Sequence, residues 1–210
     1  RESNMSNPQN KPTSCSQGAI DITGCRFSLY PMSDRFVEII LNSIQRLQLK
    51  NVWHQTDHLS TVFRGRPEHV IDCARAAFIY AAANHKNHLV GEFTFARGCP
   101  GDCDADRYLS ADPTPQNLAA IPLGDGMKTA AKISFYAFGT DDYMMHIQKV
   151  VQLAETAGLH PQKAHYVTLI EGDASALFCY FAELLAYAHQ HLNHYVLQVT
   201  LSVNSPSIKE

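Results

Sequence analysis

The sequence predicts an α+β protein made of two ferredoxin-like βαββαβ units in tandem, each an antiparallel sheet with its helices on one face. The first observation behind this fold class is an internal repeat. Residues 26–30 (RFSLY) resemble residues 132–136 (KISFY), and the offset between Ser28 and Ser134 is 106 residues (134 − 28). The second observation is that both halves show the same succession of strand-like and helix-like patterns.

The repeat divides the chain of 210 residues into four segments. We predict a flexible polar lead at 1–21, a first unit at 22–103, a linker at 104–128 and a second unit at 129–207. The linker is rich in proline and glycine, which is typical of a connector. The lead lacks the apolar stretch of a secretory signal, and no apolar run approaches the roughly 20 residues that span a bilayer. We therefore expect a cytoplasmic protein with reduced cysteines.

The charge balance excludes some classes of partner. Lys and Arg total 17 and Asp and Glu total 20, which gives a formal net charge of −3. A chain with this balance has no electrostatic reason to bind a nucleic-acid backbone or an anionic membrane surface. The apolar fraction of 45% is enough for a folded core. We expect a folded protein that does not bind nucleic acid.

The first unit has patterns for six elements. Apolar residues recur at helical spacing between Phe36 and Leu47, and Ser33 before them is a candidate N-cap. Two β-type runs, VWHQT and LSTVFRG, flank a polar turn at Asp57 and His58. The predicted order is a strand at 25–31, a helix at 34–47, two strands within 52–65, a helix at 68–84 and a strand at 88–96.

The second unit repeats this order. Its first helix is predicted to end before Gly158, because glycine commonly follows a helix in the left-handed conformation. The predicted elements are a strand at 131–138, a helix at 142–157, a strand region at 162–171, a helix at 174–190 and a strand at 194–203.

Side chains alternate across the predicted strands. In the first strand, Phe27 and Leu29 point to one face, whereas Ser28 and Tyr30 point to the other. The apolar face is expected to carry the helices. The opposite face is rich in Tyr, Ser and Thr and has few lysines, which is typical of a sheet that packs on another sheet or on a polar aromatic ligand. A face in water, or one buried in a dimer, is the alternative.

Motifs for catalysis and for metal binding are weak. The chain has no G-x-S-x-G nucleophile motif, and the GCPGD turn at 98–102 lacks the GK[ST] of a phosphate-binding loop. Cys99 and Cys103 have a spacing found in zinc sites, but no second Cys or His pair stands at the usual distance. We therefore predict a protein that is not an enzyme and that has no metal site.

Six longer motifs give the chain a family resemblance. They lie at 24–32 (GCRFSLYPM), 52–65 (VWHQTDHLSTVFRG), 98–102 (GCPGD), 102–110 (DCDADRYLS), 171–174 (EGDA) and 201–207 (LSVNSPS). With them the sequence resembles the YkoF family, which binds thiamine and hydroxymethylpyrimidine (HMP), over residues 22–207. The resemblance implies tandem ferredoxin-like, ACT-like repeats with one thiamine-type site each. It also implies a homodimer, a role beside a membrane transporter of thiamine or HMP, and a small-molecule ligand without a cofactor.

The chemistry of such a ligand selects candidate residues on the polar face. An aminopyrimidine needs hydrogen-bond partners and a flat apolar surface, and a thiazolium cation favours an aromatic ring or an acid nearby. In the second repeat, Tyr166 takes the position of Ser60 at the 106-residue offset. For each candidate, an ordinary polar group on a sheet face is the alternative. The predicted ligand-binding residues are Ser28, Tyr30, Asp57, Ser60, Thr61, Glu92 and Thr94 in the first repeat, and Ser134, Tyr136, Tyr166, Gln198 and Thr200 in the second.

The two repeats differ at positions that a ligand would contact. At the same offset, Glu92 becomes Gln198 and Thr61 becomes Val167, so the second repeat is expected to lose a charge and a hydroxyl. The sequence therefore predicts two sites of unequal affinity. Two other functions stay open at this point: an ACT-like regulatory sensor of a small metabolite, and an enzyme of thiamine salvage, for which no catalytic pattern is found.

Overall fold

A computed structural model describes residues 22–83, 86–98, 112–117 and 126–207. The predicted lead, the Cys99 and Cys103 motif and part of the linker lie outside these ranges. Within them the βαββαβ order occurs twice. The elements are β1 (Thr23–Pro31), α1 (Phe36–Gln45), β2 (Val52–Thr56), β3 (Thr61–Gly65), α2 (Pro67–Ala83), β4 (Leu89–Arg97), β5 (Lys128–Phe138), α3 (Tyr143–Thr156), β6 (Gln162–Ala164), β7 (Val167–Asp173), α4 (Ala174–His191) and β8 (His194–Val203).

The described strands join into one antiparallel sheet in the order β2-β3-β1-β4-β8-β5-β7-β6. The two units meet in the middle of this sheet, where β4 pairs with β8 from Leu89↔Val203 to Arg97↔Tyr195. Pairing of these strands removes the free edge that each unit alone would present. The predicted fold class is confirmed, with the refinement that the two units share a continuous sheet.

The strands form because apolar and polar side chains alternate along them. In β1, Phe27 and Leu29 are buried, whereas Arg26 and Tyr30 are exposed. The helices cover the buried face, and neighbouring helices contact one another in the order α1–α2–α4–α3. The opposite face of the sheet, which we call the open face, carries the polar side chains.

Aromatic side chains join the two units on the helix side of the sheet. Phe93 of β4 stacks on Phe27 of β1 with ring centroids 5.7 Å apart, and it meets Phe178 of α4 edge-on at 5.8 Å. Aromatic pairs of this geometry contribute about 0.5–1.5 kcal/mol beyond the burial of their area. One core therefore spans both units.

The helices pack to different depths. In α2, 14 of the 17 residues are buried, whereas in α1 only Ser43 is buried. Ile40 and Ile44 of α1 are partly buried against the core. α3 is followed by Gly158 with a φ of 74°, which confirms the predicted left-handed residue after this helix. The shallow seat of α1 leaves room between this helix and the sheet.

Several predicted element boundaries shift by one to three residues, and two of these shifts have a clear physical reason. α1 begins at Phe36 and not at 34, because Ser33 does not cap the helix; its hydroxyl accepts the N–H of Arg35, which is itself the N-cap residue. β5 begins at Lys128, three residues before the predicted start at 131. It extends because Thr129 is buried and still pairs with neighbouring strands on both sides.

The described part of the linker is fastened to the first unit by Asn117. The side-chain amide of Asn117 donates to Asp72 Oδ2 at 2.8 Å, and its oxygen accepts the main-chain N–H of Gln48 at 2.8 Å. Asn117 and Asp72 are both buried. These hydrogen bonds fix the path of the segment, because breaking them would leave buried polar groups unsatisfied.

Candidate functional site

A cavity of about 220 Å³ opens where β1 runs past the start of β3. Its walls are α1, the C-terminal half of β1, and the loop at 57–60 that joins β2 to β3. We call it the hairpin cavity. The structure brings together at this place five of the predicted ligand-binding residues: Ser28, Tyr30, Asp57, Ser60 and Thr61.

An ionic cluster, which we call the Arg26 clamp, fixes the loop of the hairpin cavity. Arg26 of β1 donates from Nη1 to Asp57 Oδ2 at 2.7 Å and also to the hydroxyl of Ser60. The other oxygen of Asp57 accepts the main-chain N–H groups of Leu59 and Ser60, each at 2.9 Å. The hydrogen bond from Arg26, followed by the two main-chain donors, holds the pKa of Asp57 well below its usual value. Asp57 therefore stays ionised and can keep its hydrogen bonds to Arg26, Leu59 and Ser60.

Two hydroxyl contacts complete the loop. Ser28 donates from Oγ to the carbonyl oxygen of Leu59 at 3.1 Å, and the hydroxyls of Thr56 and Thr61 lie 2.9 Å apart. The Ser28 hydroxyl uses its one proton in this contact but keeps a lone pair. Ser28 therefore shapes the loop and can still accept a hydrogen bond from a ligand.

Four other predicted residues lie on the open face of the central strands. Glu92 and Thr94 of β4 stand opposite Thr200 and Gln198 of β8. These side chains lie next to one another across the join between the units. Tyr30 links them to the hairpin cavity, since it lines the cavity and its hydroxyl donates to Glu92 Oε2 at 3.2 Å.

The second unit corrects one predicted residue match. Thr61 faces Phe27 across β3 and β1, and Thr168 faces Ile133 across β7 and β5. Thr168 is therefore the equivalent of Thr61, at an offset of 107 residues (168 − 61), and the prediction that Val167 takes this place was wrong. One extra residue between β5 and β7 causes the shift. The hydroxyl is retained in the second unit.

The same extra residue moves Tyr166. At the corrected offset Tyr166 matches Leu59 at the hairpin tip, and not Ser60 as predicted. Its side chain is fully exposed, and its φ of 68° places it in the left-handed region. Ser134 and Tyr136 keep their predicted equivalence with the serine and tyrosine of β1, because β5 pairs with β8 in the same register as β1 with β4.

The second unit has no counterpart of the Arg26 clamp. Lys132 stands at the position of the arginine, and Ala164 and Val167 stand at the positions of the acid and the serine. The side chains of alanine and valine carry no hydrogen-bonding group. The two hairpins therefore share a backbone path but differ in what holds them.

Sequence reasoning missed part of the site. Arg26 is not among the predicted ligand-binding residues, although it lies two positions before Ser28 on the same face of β1. Ile40 and Ile44 have the helical spacing of core residues, and nothing in the sequence indicates that a cavity lies beneath them. The one signal available was the pairing of a basic residue in β1 with an acid in the facing hairpin.

The rest of the described chain has weaker candidates for a functional site. A second cavity of about 220 Å³ lies between α2 and α4, and its lining includes Arg66, Glu68 and His189 but none of the predicted ligand-binding residues. In the part of the chain that the structure describes, no group of three or more His, Cys, Asp or Glu side chains could hold a metal ion. None of the helices there combines the length and apolar content needed to cross a bilayer. The hairpin cavity is therefore the candidate site.

Comparison with known proteins matches this architecture. The model of the YKOF-related family fits residues 22–102 and 128–208, which correspond to the two structural units. A protein of Bacillus subtilis (strain 168) that bears the name "Putative HMP/thiamine-binding protein YkoF" is 40% identical over 194 residues. The match covers 91% of this chain and 95% of that protein. Sequence, fold and the paired family match agree that the chain belongs to the YKOF-related family.

Proposed function

We propose that this protein binds thiamine or its precursor HMP and releases the ligand chemically unchanged. The observation that carries the proposal is the hairpin cavity, where hydroxyl, carboxylate and aromatic groups meet beside an apolar wall. The Bacillus subtilis relative is named for binding the same two compounds. Ligand sites in general combine an apolar lining with a few convergent polar groups, as this cavity does.

The size of the hairpin cavity favours the pyrimidine half of the ligand. Its volume of about 220 Å³ is below the roughly 300–1,000 Å³ that encloses a drug-sized molecule. One substituted pyrimidine ring fits this space. Phe27, Ile40 and Ile44 offer apolar surface for the faces of the ring, and the loop offers polar groups for its edge. HMP would be held almost whole, whereas thiamine would extend beyond the mouth.

The mouth of the hairpin cavity suits the thiazolium of thiamine. The ring of Tyr30 can lie against a cation, and Glu92 adds a negative charge within hydrogen-bonding distance of its hydroxyl. In the second unit the matching residues are Tyr136 and Gln198, so the ring is kept and the charge is lost. We therefore expect the preference for the first unit over the second to be larger for thiamine than for HMP.

The wider role that we propose is support of thiamine or HMP uptake in the cytoplasm. A homodimer would expose its sites to a membrane transporter of the same ligands. The open face of the sheet supports a dimer, because Tyr30 and Tyr136 lie about half exposed among polar groups there. Light scattering after size-exclusion chromatography tests the dimer, and a monomeric mass at micromolar concentration would contradict it.

Titration calorimetry with thiamine and with HMP, followed by chromatography of the recovered ligand, tests the central proposal. We expect binding with the ligand returned intact. A new product would point to a salvage enzyme, and no heat of binding with either compound would overturn the proposal.

A cavity-filling variant tests the location of the site. Ile44→Trp would fill the hairpin cavity and should abolish binding in the first unit. The matched control is Gln45→Trp, because Gln45 is exposed on the neighbouring position of the same helix. Equal binding by both variants would show that the ligand binds elsewhere.

A further inference from the structure

The main-chain edge of β1 is left unpaired beside the hairpin cavity. β3 pairs with β1 only as far as Phe27↔Thr61, and β1 runs on for four more residues. Met32 donates its main-chain N–H to His88 on the β4 side at 2.8 Å. Main-chain groups of successive residues point to alternate sides of an antiparallel strand. The N–H and C=O of Leu29, three residues earlier, therefore point away from β4 and toward the cavity.

The hairpin loop cannot supply the missing partner. Continuing the ladder would place Leu59 opposite Leu29. However, the N–H of Leu59 donates to Asp57 Oδ1 at 2.9 Å, and its carbonyl oxygen accepts from Ser28 Oγ at 3.1 Å. Both main-chain groups of Leu59 are thus engaged by side chains. Across the ranges that the structure describes, no turn or loop contact satisfies the N–H or C=O of Leu29.

Pro31 fits the same free edge. By the alternation of the strand, Pro31 faces the same side as Leu29, and a proline has no N–H to offer there. Proline is tolerated in a strand at edge positions where no ladder bond is needed. The edge of β1 is therefore built without a further strand in this place.

An aminopyrimidine can supply the hydrogen-bond partners that this strand edge lacks. A ring nitrogen accepts and the adjacent exocyclic amine donates, in the plane of the ring and on one side. The N–H and C=O of one residue in a strand offer the complementary pair. When an extended segment adds to a free strand edge, main-chain hydrogen bonds supply the affinity, with little dependence on side chains. A ring that pairs with the same main-chain groups would be bound in the same way.

We propose that the main-chain edge at Leu29 binds the acceptor–donor edge of the ligand's aminopyrimidine, so that the ring takes the place of the next residue of β3. This inference rests on the proposed function and names how the ring is recognised. The loop side chains then act by holding Leu59 away from the edge, and Arg26 is a positioning residue that acts through the loop.

The second unit offers the same edge. β7 pairs with β5 only as far as Ile133↔Thr168, so Phe135 is the equivalent of Leu29. The residue that would continue the ladder is Tyr166, which turns out into solvent. Main-chain recognition would thus be common to both units even though their loop side chains differ.

Amide hydrogen exchange measured by NMR on the full chain tests the inference. We expect the Leu29 amide to exchange at least tenfold more slowly with saturating HMP than without it, and the Phe135 amide to respond at higher HMP concentration. The Phe27 amide is the internal control, because it faces Thr61 in the ladder with or without ligand. Binding by calorimetry with no change at Leu29 would overturn this inference and leave the proposed function standing.

A ligand analogue gives an independent test. The 4-oxo analogue of HMP places a ring N–H beside a carbonyl and so reverses donor and acceptor along the edge. We expect it to bind at least tenfold more weakly than HMP, both to the natural protein and to a Ser28→Ala variant. Loss of the discrimination in Ser28→Ala would assign it to the side chain and overturn the main-chain proposal.

Discussion

The two hairpins of this protein follow the same path but are held by different chemistry. In the first unit, Arg26 bonds an aspartate and a serine of the loop at the mouth of the hairpin cavity. In the second unit, Lys132 faces a hairpin that has Ala164 and Val167 at those two positions. The sheet register and the core are copied between the units, whereas the groups that shape the cavity are not. The fold is therefore repeated in the second unit without the loop contacts of the first.

This difference has a consequence for binding. Ordering a loop when a ligand arrives costs conformational entropy, and a loop that is already fixed avoids that cost. The Arg26 clamp fixes the first loop, so we expect the first site to bind more tightly. The clamp adds to the loss of charge from Glu92 to Gln198 that the sequence predicts, whereas the predicted loss of a hydroxyl is withdrawn because Thr168 keeps it.

The largest expected effects concern the cores of the two units. Gly91 of β4 and Leu197 of β8 are equivalent at the 106-residue offset (197 − 91). Leu197→Ala should lower the free energy of unfolding by about 2–5 kcal/mol, because it opens a cavity. Gly91→Ala should lower it by about 1–3 kcal/mol for the opposite reason, overpacking, since the new Cβ would lie 2.8 Å from Phe93 and 2.9 Å from Phe78.

Urea denaturation followed by circular dichroism measures both core variants. A single transition is expected in each case, because one core spans the two units. Separate transitions for the two units would contradict the shared core.

Removing the acid of the clamp should affect one site only. Asp57→Ala deletes the acceptor of Arg26 and of two main-chain N–H groups, so the loop loses its fixed shape. We expect the dissociation constant at the first site to rise roughly tenfold, as for loss of a charge-assisted hydrogen bond. Titration calorimetry checks this, with Lys132→Ala as the comparison, because it removes the charged residue that faces the hairpin of the second unit. Equal losses at both sites would contradict the comparison.

The clamp should also resist acid. Because the pKa of Asp57 is lowered in the folded protein, its contribution is present above the ordinary aspartate pKa of about 4 and is lost only as the pH falls through the lower folded value. Affinity at the first site should therefore not fall between pH 7 and pH 5 through this group. A loss over that range in the natural protein that is absent in Asp57→Ala would contradict the assignment.

Introducing the Arg26 clamp into the second unit should raise the affinity of the second site. The triple change Lys132→Arg, Ala164→Asp and Val167→Ser introduces the three clamp residues into the second unit. We expect the second site to bind severalfold more tightly, because less ordering is left for the ligand to bring about. Calorimetry of the graft and of the same triple change with Ala164→Leu in place of the acid separates the ionic effect from added bulk.

The smallest expected effect is a similar loss of affinity at the two sites. Thr61 and Thr168 are equivalent by register. Thr61→Val and Thr168→Val should each weaken ligand binding at the site of their own unit by about 0.5–1.5 kcal/mol, because each removes a hydroxyl that can hydrogen-bond the ligand. Val167→Ala is the control, because sequence alone had matched Val167 with Thr61. A larger effect from Val167→Ala than from Thr168→Val would reject the register-based match.

The sequence predicts those parts of the fold that repeat locally. Alternation placed Phe27 and Leu29 inside β1 because each burial depends on the strand period alone. α1 was less well predicted, since Ser33 has the chemistry of a cap but bonds Arg35 and leaves the helix to begin at Phe36. Local patterns determine the type of an element better than its ends.

The parts of the site that the sequence could not predict depend on distant contacts. The single sheet exists because β4 pairs with β8, and no local pattern specifies that pairing. The hairpin cavity depends on how shallowly α1 sits, and the free edge at Leu29 depends on where β3 begins. The mistaken match of Thr61 came from one inserted residue, which the sheet register reveals and a constant offset hides.

The pairing at the centre of the sheet gives the chain the symmetry of an assembly. Phe93 of β4 stands opposite Val199 of β8, and these two residues are equivalents at the 106-residue offset (199 − 93). A residue that faces its own counterpart is the mark of an isologous two-fold contact between identical partners. The molecule is thus organised as a dimer whose two subunits share one chain, and its halves were free to diverge because each is encoded separately. A true homodimer cannot give its two sites different residues, but this arrangement can.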